Sequence, residues 1–394
     1  MKLSVNGNKE VPIAKFCRTG SGGTPARSKS ARYYGGSIPW VKSGELRESV
    51  ITETEESITK EGLRESAAKL LPANTLLVAL YGATVGRIGI LGIEAATNQA
   101  VCYIIPDETK ADRRYLFHAL QSKVPLWLSK RVGGGQPNIS QGIIKDTSIF
   151  LPPLAEQKRI AGILDAADAL RDKRCESLAQ LDTLLQATFL NMFGDPAANP
   201  MGWKSKRLGD VLSLITYGLT VRPTYQTTGV PLVSASQIKS GYVDLNAAHK
   251  ISPDDFDRLR TKCKPQHGDV LFSKTGAIGH SAILQECGRI ALSQNVARLV
   301  FKEDQIHNLC GLYYLRTDYI QRMSQRRAKG NAQKDLQLGE MEVFPIYVPP
   351  LDLQRRFAFI VETVEQQKTQ QLAHLAELDA LFASLQHRAF RGEL

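Results

Sequence analysis

The sequence has no apolar run near the roughly 20 residues that a bilayer-spanning helix needs. It opens Met1-Lys2-Leu3-Ser4-Val5-Asn6-Gly7, without the apolar stretch of a secretory signal, so a cytoplasmic protein with no membrane partner is expected. The six cysteines, Cys17, Cys102, Cys175, Cys263, Cys287 and Cys310, form no Cys-x-x-Cys pair and have no histidine at zinc spacing. They read as reduced, mostly buried thiols, not as a disulfide framework or a metal site. A catalytic engine is also missing. There is no Gly-x-x-x-x-Gly-Lys-Ser/Thr loop, and Gly20-Ser21-Gly22-Gly23-Thr24 lacks the lysine that would reach a phosphate. No Gly-x-Gly-x-x-Gly follows a strand-like run, and the seven histidines include no His-Glu-x-x-His. The two Pro-Pro pairs stand in Leu151-Pro152-Pro153-Leu154 and Val348-Pro349-Pro350-Leu351, without the polar and aromatic flanks that hold a target amino group in DNA amino-methyltransferases. No catalytic residue, metal or cofactor is therefore assigned to this chain.

What is present is size, positive charge and a repeat. A chain of 394 residues exceeds one ordinary core, so two or more domains are expected. Fifty Lys and Arg against 39 Asp and Glu leave +11, which makes a polyanion, DNA or RNA ahead of a membrane, the partner class to test.

The repeat organises the chain. Leu151-Pro152-Pro153-Leu154-Ala155-Glu156-Gln157-Lys158-Arg159-Ile160 recurs about 197 residues later as Val348-Pro349-Pro350-Leu351-Asp352-Leu353-Gln354-Arg355-Arg356-Phe357. The match runs on through Leu178–Leu184 and Leu375–Leu381 and closes at Phe193 and Phe390. Both copies read as one long helix. Proline is tolerated at its start, where the first N–H groups have no intrahelical partner. Apolar residues then recur at three- and four-residue steps: Ile160, Ile163, Ala167, Leu170, Leu178, Leu181 and Leu185, and in the second copy Val364, Leu375, Leu378, Phe382 and Leu385. That is a coiled-coil-like seam, interrupted by polar Arg174, Lys368 and Gln371. Gly194 and Gly392 mark the helix ends.

The fold expected is mixed α/β: two similar domains separated by two long helices that pair as an antiparallel coiled coil, with a pseudo-twofold repeat. The boundaries read 1–151 for the first domain, 152–193 for its helix, 194–203 for a Pro- and Gly-bearing linker, 204–348 for the second domain and 349–394 for the second helix. The domains correspond loosely. Ile38-Pro39-Trp40-Val41 matches Val230-Pro231-Leu232-Val233, and Thr97-Asn98-Gln99 matches Ser293-Gln294-Asn295, each cluster preceding a strand. Each domain closes with a helix running into a basic, glycine-bearing stretch, Lys130–Gln136 and Arg326–Asn331.

Gly22-Gly23-Thr24-Pro25, Tyr33-Tyr34, Ile38-Pro39-Trp40-Val41 and the Leu-Pro-Pro-Leu…Glu-Gln-Lys-Arg-Ile start of the first helix resemble the target-recognition domain and conserved spacer of Type I restriction–modification specificity subunits. The second domain departs from the pattern, with Tyr217-Gly218-Leu219-Thr220 at its opening. The resemblance implies a non-catalytic subunit that reads a bipartite double-stranded DNA site. It binds two methyltransferase (modification) subunits and, through them, restriction subunits. S-adenosylmethionine, ATP and Mg would then reside in those partners. A helix of about 40 residues is roughly 60 Å long and a DNA turn about 34 Å, so paired helices of this length suit a fixed gap. Two other readings stay open: the recognition half of a system whose partner fuses methylation and cleavage, and a structural coiled-coil dimer without a nucleic-acid role.

Phosphate contacts position a protein and base-edge contacts specify. Candidates for phosphate are Arg27, Lys29, Lys42, Arg87, Lys130 and Arg131, then Arg222, Lys274, Arg326, Arg327 and Lys329. Candidates for base edges, chosen because they donate and accept, are Ser43, Glu45, Tyr81, Thr84, Gln136 and Asn138, then Thr220, Ser236, Gln237, Thr275, His280 and Gln333. Trp40 is expected in the core, and Asn98, Gln99 and Gln294 are expected to tie loops internally.

Overall fold

The structure, a computed structural model, describes residues 10–47, 49–131, 138–221, 223–239, 241–330 and 333–394. It divides into two compact units, Met1–Cys175 with Ala373–Leu394, and Glu176–Leu372.

In the first unit β1 (Cys17–Ser21), β2 (Tyr34–Val41), β3 (Val50–Ile51), β4 (Glu56–Ile58), β5 (Leu76–Ala79), β6 (Ile88–Leu91), β7 (Ala96–Thr97) and β8 (Val101–Pro106) form two sheets. One has the order β1-β8-β5-β6-β3 and the other β4-β2-β7. β5 and β6 are buried along their whole length, and β8 over its first four residues, so these strands read Leu-Leu-Val-Ala, Ile-Gly-Ile-Leu and Val-Cys-Tyr-Ile, without polar alternation. Helix α1 (Arg113–Ser129) covers the larger sheet, with Tyr115, Leu116 and Trp127 in the core. Pro39 is accommodated in β2 because β7 pairs only with Trp40 and Val41, leaving no ladder bond for the missing N–H to make on that side.

The second unit repeats this plan. β9 (Leu212–Tyr217), β10 (Val230–Val233), β11 (His249–Ile251), β12 (Val270–Ser273), β13 (Ser281–Ile283), β14 (Ala291–Leu292) and β15 (Val296–Phe301) form sheets of order β9-β15-β12-β13 and β11-β10-β14. The small sheets match in direction: the central strand is antiparallel to one neighbour and parallel to the other in both units. Two short helices, α3 (Asn308–Leu315) and α4 (Asp318–Arg327), stand where the first unit has one. Inside this unit Arg298 Nε meets Asp269 at 2.6 Å with both side chains buried, and its Nη1 donates to the carbonyls of Thr261 and Lys264.

The long helices are α2 (Leu154–Phe193) and α5 (Leu351–Ala389). Each serves both units. In the first unit Ile160 and Leu164 share a core with Phe382, Leu385 and Ala389. In the second Leu185, Phe189 and Phe193 share one with Phe357, Val361 and Val364. The inward positions follow a heptad without a break: Ile160, Leu164, Ala167, Arg171, Arg174, Leu178, Leu181 and Leu185, matched by Phe357, Val361, Val364, Lys368, Gln371, Leu375, Leu378 and Phe382. The seam departs from the sequence expectation at two positions, Ile163, whose place Leu164 takes, and Leu170. Leu170 is 53% exposed, because the 3.5-residue period brings its neighbour Arg171 to the seam. Gly194 and Gly392 end the helices at φ +81° and +72°. The helices pack antiparallel, Arg171 meeting Asp379 in one unit and Lys368 meeting Asp182 in the other.

A buried glutamine anchors each helix to its unit. Gln157 Oε1 accepts from the Asp112 N–H at 2.7 Å, while its Nε2 donates to the Lys110 and Pro152 carbonyls. Gln354 does the same with the His307 N–H at 2.8 Å and the carbonyls of Gln305 and Pro349.

All six cysteines are free; Cys102, Cys263 and Cys310 are buried and Cys17 half-buried, while Cys175 and Cys287 are exposed, against the expectation of mostly buried thiols. Burial pushes the Cys17 and Cys102 thiols up to about 12. Among the described residues no helix is long and apolar enough to cross a membrane, and no group of three His, Cys, Asp or Glu could hold a metal ion.

Candidate nucleic-acid interface

The two small sheets bring distant loops to one edge of each unit through a matched set of backbone bonds. In the first unit the Asn98 N–H donates to the Val41 carbonyl at 2.9 Å, Leu80 N–H to Ala100 at 2.8 Å and Ile139 N–H to Leu80 at 3.0 Å. In the second, Ser293 donates to Val233 at 2.9 Å, Lys274 to Asn295 at 3.0 Å and Leu336 to Lys274 at 2.8 Å. The correspondence is residue by residue: Tyr81 bridges Asn138 as Thr275 bridges Asp335.

The opening loops also correspond. Gly23 N–H donates to Thr97, and Leu219 N–H to Leu292. The preceding glycines are obligatory: a Cβ on Gly22 would lie 2.2 Å from the Thr97 carbonyl oxygen, and one on Gly218 would lie 1.8 Å from that of Leu292. Thr24 is thereby the counterpart of Thr220, and Gln99 of Gln294, which shifts by one residue the register in which the sequence sets Thr97-Asn98-Gln99 against Ser293-Gln294-Asn295. Gln99 ties loops as the sequence leads one to expect, its Oε1 accepting from the Thr24 hydroxyl; Thr24 is not among the candidates the sequence offers. The signal available was the Gly-x-Thr spacing, shared by two openings that otherwise differ.

In the second unit Thr220, Lys274, Thr275, Gln294, Asn295, Gln333 and Asp335 line one cleft of about 600 Å³. Four of the proposed contacts meet there: Thr220, Lys274, Thr275 and Gln333. His280 does not join them; it lines a separate cavity with Asp182 and Arg316. Ser236 is exposed beside Gln237. Gln237 itself is buried, its Oε1 accepting from Ser234 and its Nε2 donating to Ala247, so its amide is occupied in the loop and not free to read a base. In the first unit Tyr81, Thr84 and Arg87 lie in the turn between β5 and β6, and Gly86 of that turn packs toward Val124 and Leu128 of α1, whose end carries Lys130 and Arg131. Ser43 and Glu45 form a short 3-10 turn, in which the Glu45 carboxylate accepts the Lys42 and Glu55 N–H groups at 2.8 and 3.0 Å and is occupied. Gln136 and Arg222 lie outside the described residues.

The cations separate into two kinds. Arg27 pairs with Glu56 at 2.7 Å, its guanidinium 4.2 Å from the Tyr34 ring centre. Lys42 pairs with Glu55 and Glu56 at 2.8 and 3.0 Å. The hydrogen bonds from Arg27 and Lys42 hold the Glu56 carboxyl below its usual value. Buried Lys274 bonds Asp335, as does Thr275. Burial alone would raise the Asp335 carboxyl, but these bonds bring it below the ordinary range. Arg327 and Lys329 share Glu340 at 3.1 and 3.2 Å. Lys29, Arg87, Lys130, Arg131 and Arg326 are exposed and make no ion pair among the described residues. Only the last group presents unneutralised charge; Lys274 reads better as a structural clamp than as a phosphate contact. Trp40 is core, with Nε1 donating to the Gly23 carbonyl at 3.1 Å.

An α/β module with a polar and basic edge, present in two copies that each end in a long helix, defines a tandem-repeat α/β protein. The chain belongs to the family described as the Type I restriction modification DNA specificity domain, which matches residues 6–180 and 200–377. It is a specificity subunit, the non-catalytic member of a Type I restriction–modification system. It is 26% identical over 333 residues to the specificity subunit of the Type I restriction enzyme EcoBI of Escherichia coli, covering 76% of this chain and 69% of that one. To the MjaIX specificity subunit of Methanocaldococcus jannaschii it is 22% identical over 412 residues, covering 95% and 90%. Among solved structures, a chain from a study of complex assembly and conformational transition in a type I system is similar with TM-score 0.60, 20% identity and full coverage of both chains. The S subunit from M. genitalium is similar with TM-score 0.51 and 18% identity, covering 99% of this chain and 98% of that one.

Proposed function

We propose that each unit reads one half of a gapped double-stranded DNA site, residues 1–151 the first half and 204–348 the second. In this reading the helices of 152–193 and 349–394, with the linker 194–203, set the gap and seat two methyltransferase subunits, through which restriction subunits join. S-adenosylmethionine, ATP and Mg belong to those partners, and the place of action is the cytoplasm, where the host DNA is. The observation that carries this reading is the residue-by-residue duplication of the polar edge on one framework. Identical frameworks with unlike side chains suit two unlike half-sites, and a helix pair with pseudo-twofold contacts suits two copies of one partner. The test is a module exchange. Replacing residues 1–150 with the matching domain of a related subunit should change one half of the methylated site and leave the other half and the gap as they were. A swap that alters both halves together overturns the reading.

A further inference from the structure

Two modules that read different half-sites should differ wherever a side chain touches a base. Most of the matched edge does differ: Tyr81 against Thr275, Leu80 against Lys274, Asn138 against Asp335. One pair does not. Thr24 and Gln99 recur as Thr220 and Gln294, and all four are exposed, so core packing does not account for their identity. In the first unit the Thr24 hydroxyl donates to Gln99 Oε1, which fixes the rotation of the amide. The Gln99 Nε2 hydrogens have no partner among the described residues, nor has the Gln294 amide, which lines the cleft with Thr220.

Resting on the two-half-site reading above, we propose that Gln99 and Gln294, each beside its threonine, read a base pair that the half-sites have in common, with adenine on one strand. A carboxamide presents a donor and an acceptor side by side, the complement of adenine N7 and N6 in the major groove. One enzymatic chemistry applied to both halves requires the same base in each, and a reader duplicated along with the fold supplies that shared element. Unlike side chains around it supply the difference. Thr24 is a positioning residue through that bond, Thr220 stands at the matching place in the cleft, and the glutamines make the contact.

The experiment uses the full chain reconstituted with its methyltransferase, on duplexes in which each half-site adenine in turn is replaced by 7-deazaadenine, which lacks N7. Wild type should show one sensitive position per half-site, at equal distance from the methylated base, with binding weakened about five- to 100-fold. Gln99→Ala should abolish that sensitivity in the first half-site only, and Gln294→Ala in the second only, with melting temperatures unchanged. Thr24→Ala should diminish the sensitivity in the first half without abolishing it. Sensitivity that persists in the glutamine variants, positions unequally placed, or a fall in melting temperature overturns the proposal. A wild-type complex that fails to distinguish its gapped site from a scrambled one would instead overturn the two-half-site reading itself.

Discussion

Arg171 Nε lies 2.6 Å from Asp379 Oδ1, and the repeat reproduces the contact with its helices exchanged, Lys368 meeting Asp182 at 2.7 Å. Both cations occupy heptad seam positions; apart from Arg174 and Gln371, the others hold Leu, Phe, Ile, Val or Ala. Arg171 also lies 4.8 Å from the Phe382 ring centre, so its stem and guanidinium fill the space a leucine would.

Charged seam residues weaken a coiled coil while fixing its register. The double variant Arg171→Leu, Lys368→Leu should therefore melt at a higher temperature than wild type, since partly exposed ion pairs contribute only about 0–1 kcal/mol each. A lower melting temperature would show that the ion pairs outweigh burial of the leucines.

Gln157 and Gln354 behave as staples. Gln157→Ala leaves the Asp112 N–H and two carbonyls without their partner beneath the helix start. The expected cost is at least about 1–3 kcal/mol, read by denaturant unfolding, and Gln354→Ala should cost as much. A neutral effect in either would mean that water replaces the amide.

His307 caps α3, its Nδ1 accepting the Leu309 N–H at 3.3 Å. Burial lowers its pKa, with Arg355 adding to the effect against Glu362 and Glu303. The folded state thus binds the proton less readily than the unfolded state. Stability is highest above the ordinary histidine value of about 6.5 and falls as pH drops through it toward the lowered value. His307→Asn retains a cap that does not titrate. The variant should lose less melting temperature than wild type between about pH 7.5 and about pH 5.5, around that ordinary value; equal losses would remove His307 as a cause.

Cations already neutralised should matter little to DNA affinity. Lys130→Ala and Arg131→Ala should each reduce the slope of log affinity against log salt by about 0.9, whereas Lys42→Ala, which loses a residue held by Glu55 and Glu56, should leave it nearly unchanged. Salt titrations on one duplex decide this, and an equal loss of slope for Lys42 would contradict the division.

The repeat, the helices and the mixed α/β class were legible because 3.5-residue periodicity and two Leu/Val-Pro-Pro-Leu starts are local patterns. Leu170 misled because a leucine adjacent to the seam looks apolar, while Arg171, the true seam residue, looks exposed. The site was less legible. Lys42, Arg27 and Lys274 read as free cations until folding brings Glu55, Glu56 and Asp335 to them from elsewhere in the chain. Gln237 read as an available amide until its loop closed on it. The Gly-x-Thr spacing hints at the match of Thr24 to Thr220, but the match of Gln99 to Gln294 depends on the bonds of Asn98 and Ser293 to Val41 and Val233, which no local pattern encodes.

The sharing of the long helices bears on the order in which the protein is made. The first unit draws its last segment from Ala373–Leu394, beyond the whole of the second unit, Glu176–Leu372. On the ribosome, residues 10–175 therefore emerge with Ile160 and Leu164 still lacking Phe382, Leu385 and Ala389. The second unit has all its residues in one stretch and can close first, since domains fold as units when their sequence is out. The first module to be synthesised is the last to be finished, and through that interval it presents an unfilled apolar face to chaperones and to other nascent chains.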